Sequence, residues 1–377
     1  MSKEDSTAVV IGAGPAGLAA AAELGRAGFT VTVVDKAAEV GSSWAGHYDR
    51  LHLHTARTLS SLPGMVMPRR YGRWVARDNF RAYLAEYARE NTLTLQLGTA
   101  VSAVEKTQDG WTVSAGTKKL PADVVVIATG YNHTPKIPAW PGLAQFSGQV
   151  LHSSTYRNPA ALTAKQVLII GSGNSGSEIA ADLADAGLQV SLAVRTPPNI
   201  VRRSVLGIPG QVLVLMTSPL PLPLADRIGR LLQRLTVGDL SRYGLKRAPR
   251  GVFSQVKKDD LIPTIDVGLI DAVKKGAVTV VPAVESFGAK EVTLVDGTTV
   301  TPDTVIVATG FVRGLEPLVG SLGVLGPAGL PLVNGEDELV DKPGLFFLGY
   351  SNPLTGNIRQ LKIDAKKIAR KARRLLR

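Results

Sequence analysis

The stretch Val167-Leu-Ile-Ile-Gly171-Ser-Gly-Asn-Ser-Gly176 is an apolar run that continues into the pattern G-x-G-x-x-G and then into a helical opening, Ser177-Glu-Ile-Ala-Ala181. A buried strand, a glycine loop and a helix in this order are typical of dinucleotide-binding βαβ units. Gly171 permits the tight turn, Gly173 lets the backbone approach a pyrophosphate, and Gly176 lets helix and strand pack closely. The free N–H groups at the helix N-terminus then face the phosphates.

The same arrangement occurs earlier in the chain, in Ala8-Val-Val-Ile-Gly12-Ala-Gly-Pro-Ala-Gly17. Two such loops predict either two bound dinucleotides or one dinucleotide and a duplicated fold. The cofactor-binding residues predicted at the first loop are Gly12, Gly14, Pro15 and Gly17. Those predicted at the second loop are Gly171, Gly173, Asn174 and Ser175.

The residue that ends the second strand of each unit distinguishes these two cases. A carboxylate at this position accepts a hydrogen bond from a ribose 2′-hydroxyl, and Gly12 leads to Asp35 there. Gly171 leads, at the matching distance, to Val194 and then to Arg195 and Thr196, and a guanidinium beside a hydroxyl suits a 2′-phosphate. The sequence therefore predicts a flavoprotein with FAD in the first unit and NADPH in the second. The alternative for Arg195 is a surface arginine that follows a strand.

The composition excludes several kinds of site. The 377 residues contain no cysteine, which removes disulfides, thiolate nucleophiles, cysteine-bound metals and the redox-active disulfide of disulfide reductases. The polar first residues and the lack of a long apolar run predict a cytoplasmic protein with no membrane span.

The net charge is +12, a balance that can indicate a nucleic-acid or anionic-membrane partner. No nucleic-acid motif accompanies the charge, so two polyphosphate cofactors and a basic C-terminal helix over 366–377 are the preferred explanation. This helix is expected to dock on the protein with a solvated basic face; contact with anionic lipid is the alternative.

The order of elements predicts an α/β fold with two Rossmann-like dinucleotide-binding domains. The predicted FAD-binding domain is discontinuous and comprises 1–155 and 276–377, with the NADPH-binding domain inserted at 156–275. Each unit contains a buried strand that ends in Ala-Thr-Gly, at 128–130 and at 308–310. The remaining expectations are a small antiparallel insertion over 92–117 and a connection punctuated by proline and glycine over 131–166.

Between the two units lies Phe146-Ser-Gly-Gln-Val-Leu-His-Ser-Ser-Thr-Tyr156, which has the pattern F-x-G-x-x-x-H-x-x-x-Y. Its spacing alone is also compatible with a packed hinge that holds a satisfied histidine. In this position, however, the pattern resembles the identifying sequence of the flavin-containing monooxygenases, and Tyr156-Arg157 stands where Baeyer–Villiger relatives have Trp-Pro. Gly41-Ser-Ser-Trp44 also resembles this family, while Tyr48-Asp-Arg-Leu51 and Tyr243-Gly-Leu-Lys-Arg247 look most like its plant YUCCA-type and bacterial members.

The resemblance implies FAD, NADPH and O₂ as co-substrates, with oxygen passed from a C4a-hydroperoxyflavin to a small-molecule substrate. Arg195 and Thr196 match the NADPH-selective pair of the family, and Asn174 matches an asparagine of its second glycine loop. His54 stands where many members carry an asparagine beside the flavin. The resemblance thus implies His54 and Asn174 as catalytic residues. Further predicted cofactor-binding residues are Lys36, Trp44, His54, Val101 and Thr129.

Three functions remain open at this point. The first is oxygenation of small soft nucleophiles such as sulfides, amines or indole. The second is YUCCA-like oxidative decarboxylation of a 2-oxo acid such as indole-3-pyruvate, which needs a cation that the sequence does not locate. The third is a flavoprotein reductase that passes electrons to an acidic partner protein, against which the complete F-x-G-x-x-x-H-x-x-x-Y pattern argues.

No metal site is predicted, because two histidines, His52 and His54, without a nearby carboxylate make a poor metal site. A homodimer is the expectation from the general frequency of oligomers.

Overall fold

The computed structural model describes residues 6–375, so the expectations for Met1–Asp5 and for Leu376–Arg377 lie outside the described residues. Within that range the helices are α1 (Pro15–Arg26), α2 (Ser42–Ala45), α3 (Arg77–Glu90), α4 (Asn174–Asp185), α5 (Gly210–Thr217), α6 (Leu222–Thr236), α7 (Val252–Asp259), α8 (Leu269–Lys274), α9 (Glu316–Val319) and α10 (Asn357–Leu375).

The strands of the same range, in chain order, are β1 (Thr7–Ile11), β2 (Thr30–Val34), β3 (Thr94–Gln96), β4 (Val101–Thr107), β5 (Gly110–Ala115), β6 (Lys118–Ala122), β7 (Val124–Ile127), β8 (Thr134–Pro135), β9 (Gln149–His152), β10 (Gln166–Ile170), β11 (Gln189–Ala193), β12 (Ile200–Arg202), β13 (Ser204–Val205), β14 (Ile208–Pro209), β15 (Thr264–Asp266), β16 (Val278–Val281), β17 (Val284–Phe287), β18 (Val292–Leu294), β19 (Thr299–Val300), β20 (Thr304–Val307), β21 (Phe311–Val312) and β22 (Leu345–Phe347).

The chain divides into two compact units, and both combine helices with parallel sheets. The predicted α/β class is therefore confirmed. The first unit comprises Met1–Gly46, Ala56–Thr134 and Phe311–Arg377, and the second comprises His47–Thr55 and Pro135–Gly310.

The first unit is built on a sheet in the order β22-β7-β1-β2-β3, in which all neighbours are parallel. The central strands β1 and β7 are almost entirely apolar, as expected for strands whose two faces are both covered. Helix α1 packs against α10 and contacts β1. The antiparallel sheet β4-β5-β6 shares a hydrophobic core with β1 and β7, in which Trp111 and Val113 are buried.

The second unit is built on a sheet in the order β16-β11-β10-β20-β9, again with all neighbours parallel. Its pairing repeats that of the first sheet: Ile11 is opposite Ile127 there, and Ile170 is opposite Val307 here. In both sheets the strand that precedes the glycine loop therefore lies between its βαβ partner and the strand that runs into Ala-Thr-Gly.

Three features differ from the sequence expectations. The predicted connection over 131–166 contains β9, which joins the second sheet beside β20. Strand β3 extends the first parallel sheet, whereas the sequence assigned it to the antiparallel insertion. The chain returns to the first unit after Gly310, not after residue 275, because β16 and β20 pair within the second sheet.

The C-terminal helix α10 carries basic residues on one side and a continuous apolar stripe on the other. The stripe is buried within the first unit, against α1, so the helix is docked as expected. Its buried apolar residues are Ile358, Leu361, Ala365, Ile368, Ala369 and Ala372. Among residues 6–375, no helix combines the length and the apolar character that a membrane span requires.

Candidate functional site

The first glycine loop links β1 to α1 in the conformation that its three glycines permit. Gly12 has φ 114°, and a side chain there would collide with the carbonyl oxygen of Ala128. A side chain at Gly17 would collide with the carbonyl oxygen of Gly12, so this glycine is needed for close packing of the helix. At Gly14, by contrast, an added Cβ would meet no atom within 4 Å. The loop is therefore closed at its two outer glycines and open at the middle one.

Asp35 follows β2 and is bound directly to this loop. Its Oδ2 accepts a hydrogen bond from the N–H of Ala13 at 2.6 Å, and its Oδ1 accepts one from the N–H of Ala37 at 2.8 Å. Each carboxylate oxygen can accept more than one hydrogen bond. The half-buried Asp35 can thus orient the loop and still receive a ribose hydroxyl.

Thr129 lies beside the first loop. It follows Ala128, whose carbonyl oxygen packs against Gly12. Its N–H and hydroxyl contact the hydroxyl of Tyr350 at 3.2 and 2.8 Å. Tyr350 is buried, and burial raises its pKa to about 12. Tyr350, which follows the buried residues at the end of β22, was not predicted from the sequence.

The other residues predicted in the first unit lie at varying distances from the loop. Trp44 packs edge-on against Phe80, with 4.5 Å between ring centroids, and Gly41 of the same turn donates to the carbonyl of Ala13. Lys36 is exposed and donates to Nε2 of His133 at 3.1 Å. Val101 begins β4, and Thr99 just before it donates to the carbonyl of Asp35. Trp44 therefore lies three residues after a residue bonded to the first loop, and Val101 lies two residues after a residue bonded to Asp35.

The second glycine loop repeats the first. Gly171 also has φ 114°, and a side chain there would collide with the carbonyl oxygen of Ala308. A side chain at Gly176 would collide with the carbonyl oxygen of Gly171, whereas Gly173 again faces open space. The two Ala-Thr-Gly segments thus have the same physical role, since each supplies the alanine carbonyl that the first loop glycine covers.

Asn174 begins α4, and its amide group is occupied by backbone. Its Oδ1 accepts from the N–H of Ile265 at 2.7 Å, and its Nδ2 is 3.4 Å from the carbonyl oxygen of Pro263. The Thr264 hydroxyl also donates to the carbonyl of Ser172 in the glycine loop. Hydrogen bonds therefore connect β15 to the second loop, and the side chain of Asn174 makes one of them. Ser175, next to it, is half-buried.

Arg195 and Thr196 follow β11 and are both exposed. Across residues 6–375, the guanidinium of Arg195 has no hydrogen bond or ion pair to another residue. This end of the second unit thus presents an available cation where the first unit presents a carboxylate.

His54 lies in the segment His47–Thr55, which belongs to the second unit. Its Nε2 is hydrogen-bonded to Oε1 of Glu178, a residue of α4 that is 2% exposed. Glu178 was not predicted from the sequence, and no carboxylate was expected near His54. That expectation was wrong, because the carboxylate comes from a helix more than a hundred residues later. In the described range, no three His, Asp or Glu side chains gather in a way that could hold a metal ion.

Glu178 is one of three acids on the same face of α4, at positions i, i+4 and i+7. Asp182 accepts from the hydroxyl of Tyr156 at 2.7 Å, and Asp185 accepts from Arg50 at 2.8 Å. Burial, followed by the hydrogen bond to Asp182, raises the pKa of Tyr156 well above its ordinary range. This acidic spacing is visible in the sequence and could have indicated a helix face with several cationic or hydroxyl partners.

The histidine of the F-x-G-x-x-x-H-x-x-x-Y pattern also has structural partners. Nε2 of His152 donates to the carbonyl of Gly310 at 3.1 Å, and its Nδ1 accepts from the N–H of Ser154 at 3.1 Å. Burial lowers the pKa of this histidine. His152 thus ties the end of β9 to the turn after β20, and Tyr156 ties the following turn to α4.

A flavin and a pyridine nucleotide fit these two loops. Each loop starts a helix with a glycine N-cap that has no side chain to satisfy the first N–H groups, and each has open space at its middle glycine. A diphosphate placed at either N-terminus would be bound by these N–H groups and by the helix dipole. The two units therefore carry two similar glycine loops, and the residues that follow the neighbouring strand differ in charge between the units.

Comparison with known proteins agrees with this geometry. Residues 9–205 match the family described as pyridine nucleotide-disulphide oxidoreductase. The chain is 32% identical to the indole-3-pyruvate monooxygenase YUCCA1 of Oryza sativa subsp. japonica over 351 residues, which cover 91% of this chain and 86% of that protein. It is 31% identical to the probable indole-3-pyruvate monooxygenase YUCCA9 of Arabidopsis thaliana over 370 residues, 96% of this chain and 87% of that protein.

Among solved structures, the flavin-containing monooxygenase from Stenotrophomonas maltophilia superposes with a TM-score of 0.73 at 26% identity and covers 97% of this chain and 98% of its own. With the absence of cysteine, a redox-active disulfide is excluded from these 377 residues, although the matched family takes its name from such enzymes. The two nucleotide loops and the similarity along nearly the whole chain place this protein in the flavin-containing monooxygenase family, whose members are oxidoreductases that use a flavin and a pyridine nucleotide.

Proposed function

We propose that the protein is an FAD-containing monooxygenase that uses NADPH and O₂ to oxygenate small soft nucleophiles such as sulfides, amines and indole. The first unit is the FAD-binding domain and the second is the NADPH-binding domain, both Rossmann-like. The first is discontinuous, and the second is inserted into it.

The observation that supports these cofactors is the contrast between two otherwise matching sites. Asp35 can accept from a free ribose hydroxyl at the first loop, which suits the adenosine of FAD. Arg195 and Thr196 stand at the equivalent end of the second unit, where a 2′-phosphate would be paired with a guanidinium. The carboxylate of Asp35 would repel the 2′-phosphate of NADPH. The two cofactors therefore cannot exchange sites.

When bound, the flavin accepts hydride from the pyridine nucleotide and activates O₂ so that one oxygen atom reaches the substrate. The protein then has to bind and orient the two cofactors and to exclude water from them. No acid–base triad is needed. The glycine loops bind the two diphosphates, Asp35 and Arg195 orient the riboses, and His54 offers a ring nitrogen to a bound ligand. Asn174 contributes by holding β15 against the second loop.

The test uses the purified holoenzyme with NADPH under ¹⁸O₂ and a panel made of a thioether, a tertiary amine and indole. We expect one ¹⁸O atom in the product and one NADPH oxidised per product. Oxidation of NADPH that yields only hydrogen peroxide with every substrate would contradict the proposal. If fast oxidation instead required an added acidic electron-transfer protein, the enzyme would be a reductase.

Oxidative decarboxylation of a 2-oxo acid is the second candidate, and the names of the plant relatives favour it. An anionic substrate needs a cation, and Arg203 is a half-buried arginine within electrostatic reach of Glu178. Burial lowers the pKa of this guanidinium, and the charge of Glu178 opposes that shift. Arg203→Ala should raise KM for indole-3-pyruvate by about tenfold and leave KM for a neutral thioether unchanged. The release of CO₂ from indole-3-pyruvate by the unmodified enzyme, or its absence, decides between the two candidates.

A further inference from the structure

We propose that Glu178 is a positioning residue for His54: it holds the proton on Nε2 of the imidazole and leaves Nδ1 as the ring nitrogen that a ligand meets. The inference about the tautomer stands on the structure alone. Its importance for turnover rests on the proposed function, in which His54 serves a bound ligand.

The two side chains are in direct contact. Oε1 of Glu178 is hydrogen-bonded to Nε2 of His54. An ionised carboxylate only accepts hydrogen bonds, so the proton in this contact belongs to the imidazole. Nδ1 of His54 has no partner within residues 6–375, and 21% of the side chain is exposed, against 3% for Glu178. The buried carboxylate thus holds one ring nitrogen while the other is left for a ligand.

Glu178 is itself held in place by a second side chain. Tyr48 is buried and donates to Glu178. Burial first, and then the negative charge of Glu178, raise the pKa of Tyr48 well above its usual value, so this phenol keeps its proton. The carboxylate is therefore bonded from two sides, which restricts its rotation and hence the orientation of the imidazole.

Burial of the Glu178 carboxylate carries a free-energy cost. A carboxylate removed from water destabilises a protein unless it is paired, and an apolar residue at this position of α4 would avoid that penalty. Glu178 nevertheless lies in the interior, with His54, Tyr48 and the nearby cation of Arg203 around it. The cost of burying this carboxylate is therefore offset by charged and polar neighbours, among them the imidazole that it contacts.

A purely structural role for Glu178 is the competing explanation, and Asp185 provides the matched control. Both acids lie on the same face of α4 and bind the same segment, 47–55. Asp185 holds Arg50 and is 68% exposed in its side chain, so it anchors the segment without contacting His54. Loss of anchoring alone should therefore appear in Asp185→Asn as well.

The experiment is two-dimensional ¹H–¹⁵N NMR of the histidine rings in the ¹⁵N-labelled holoenzyme, at about pH 8.5, where an unperturbed imidazole is neutral. The chain has five histidines, and the signals of His54 are assigned by their loss in His54→Gln. In the unmodified protein we expect His54 in the Nε2–H form. In Glu178→Leu we expect both tautomers, and in Asp185→Asn the pattern of the unmodified protein.

Each outcome bears on the proposal. An Nδ1–H form in the unmodified holoenzyme would overturn it, and this measurement needs no variant to fold. An unchanged Nε2–H form in Glu178→Leu would also overturn it, because another group would then set the tautomer. Should the leucine variant fail to fold, Glu178→Gln replaces it; its amide offers Nε2 both a donor and an acceptor, so the two tautomers should again mix.

The hydrogen peroxide released per NADPH oxidised then distinguishes this inference from the proposed function. We expect the peroxide fraction to rise by up to about tenfold in Glu178→Gln and in His54→Gln, and to stay unchanged in Asp185→Asn. If neither the His54 nor the Glu178 variant changed this fraction, His54 would have no role in oxygen transfer. The assignment of its tautomer would still hold. If only His54→Gln raised it, Glu178 would not be a positioning residue.

Discussion

Arg195 and Asp35 occupy equivalent strand ends in two units that are otherwise alike, yet their surroundings differ. Asp35 is bonded to the backbone of its glycine loop, while Arg195 has no partner among residues 6–375. A carboxylate that orients a loop is needed even before a ligand binds. An exposed guanidinium without partners, in contrast, gains its interactions only when an anion arrives.

Replacement of Arg195 by alanine should weaken NADPH binding by about ten- to hundredfold, because a hydrogen bond to a charged group contributes about 1.5–3 kcal/mol. Binding of NADH, which lacks the 2′-phosphate, should be unchanged. Fluorescence titration of both coenzymes measures this directly. Arg242→Ala is the control, since that arginine stacks on Tyr243 in the same unit. Equal losses for NADPH and NADH would contradict the assignment of the 2′-phosphate.

Tyr350 is one of the buried tyrosines whose raised pKa makes stability fall at alkaline pH. Its folded-state pKa is about 12, raised by burial from 10.0. A group whose pKa is raised on folding stabilises the protein fully below its unfolded pKa, and this contribution is lost as pH rises through the folded one. We therefore expect the free energy of unfolding to fall less steeply above about pH 10 in Tyr350→Phe than in the unmodified protein. Urea unfolding at a series of pH values tests this.

The comparison at about pH 8 is the internal control, because the phenol is neutral there in both folded and unfolded chains. At that pH the variant should lose only about 1 kcal/mol, for the hydrogen bonds to Thr129. Parallel curves for the two proteins up to about pH 12 would show that Tyr350 does not titrate as described.

At the scale of the element, the two glycines of one loop should respond in opposite ways to alanine. Gly173→Ala should leave thermal unfolding of the ligand-free protein nearly unchanged, because the added methyl group enters open space. It should nevertheless weaken binding of adenosine 2′,5′-bisphosphate by tenfold or more, that is by at least about 1.4 kcal/mol, since this space is where a phosphate approaches.

Gly176→Ala should instead destabilise the ligand-free protein, because the methyl group would collide with the carbonyl of Gly171 and force α4 away from β10. The expected loss is about 1–3 kcal/mol. Calorimetric melting curves compare the two variants. If Gly173→Ala melted at the lower temperature of the two, the open space described at that glycine would not exist in solution.

The sequence predicted those helices and strands whose pattern is contained within a short stretch of chain. Both βαβ units and the Ala-Thr-Gly strands have apolar periodicity and glycine punctuation within about thirty residues. Strand β9 was missed because Gln149–His152 is short and lies between proline- and glycine-rich stretches. The assignment of β3 to the wrong sheet has the same origin, since a strand does not show in its own residues which neighbour it will pair with.

The site was predictable to the same extent. The glycines, Asp35 and Arg195 are readable because a motif fixes their place relative to a loop. Glu178 and Tyr350 were not, because their partners His54 and Thr129 are more than a hundred residues away. The i, i+4, i+7 spacing of Glu178, Asp182 and Asp185 indicates a polar helix face but does not identify what it contacts.

For the whole molecule, the assignment of one cofactor to each unit can be tested by hydrogen exchange. Addition of FAD to the ligand-free protein should slow exchange of amides at the first glycine loop, within 11–18. Addition of NADP⁺ should slow exchange at the second, within 171–178, because bound phosphates engage the helix N-termini. Mass spectrometry of peptic peptides locates these changes. Protection of the first loop by NADP⁺ alone would reverse the assignment.

The way in which the chain alternates between units determines the order in which a ribosome can complete them. The second unit needs only residues 47–55 and 135–310, while the first waits for β22 and α10 at the end of the chain. Nascent domains usually fold in order from the N-terminus. Here, however, the second unit should finish folding before the first. A released chain that ends at Gly310 should accordingly contain a protease-resistant second unit beside a cleavable first one. Equal cleavage of both would mean that the second unit matures only when translation is complete.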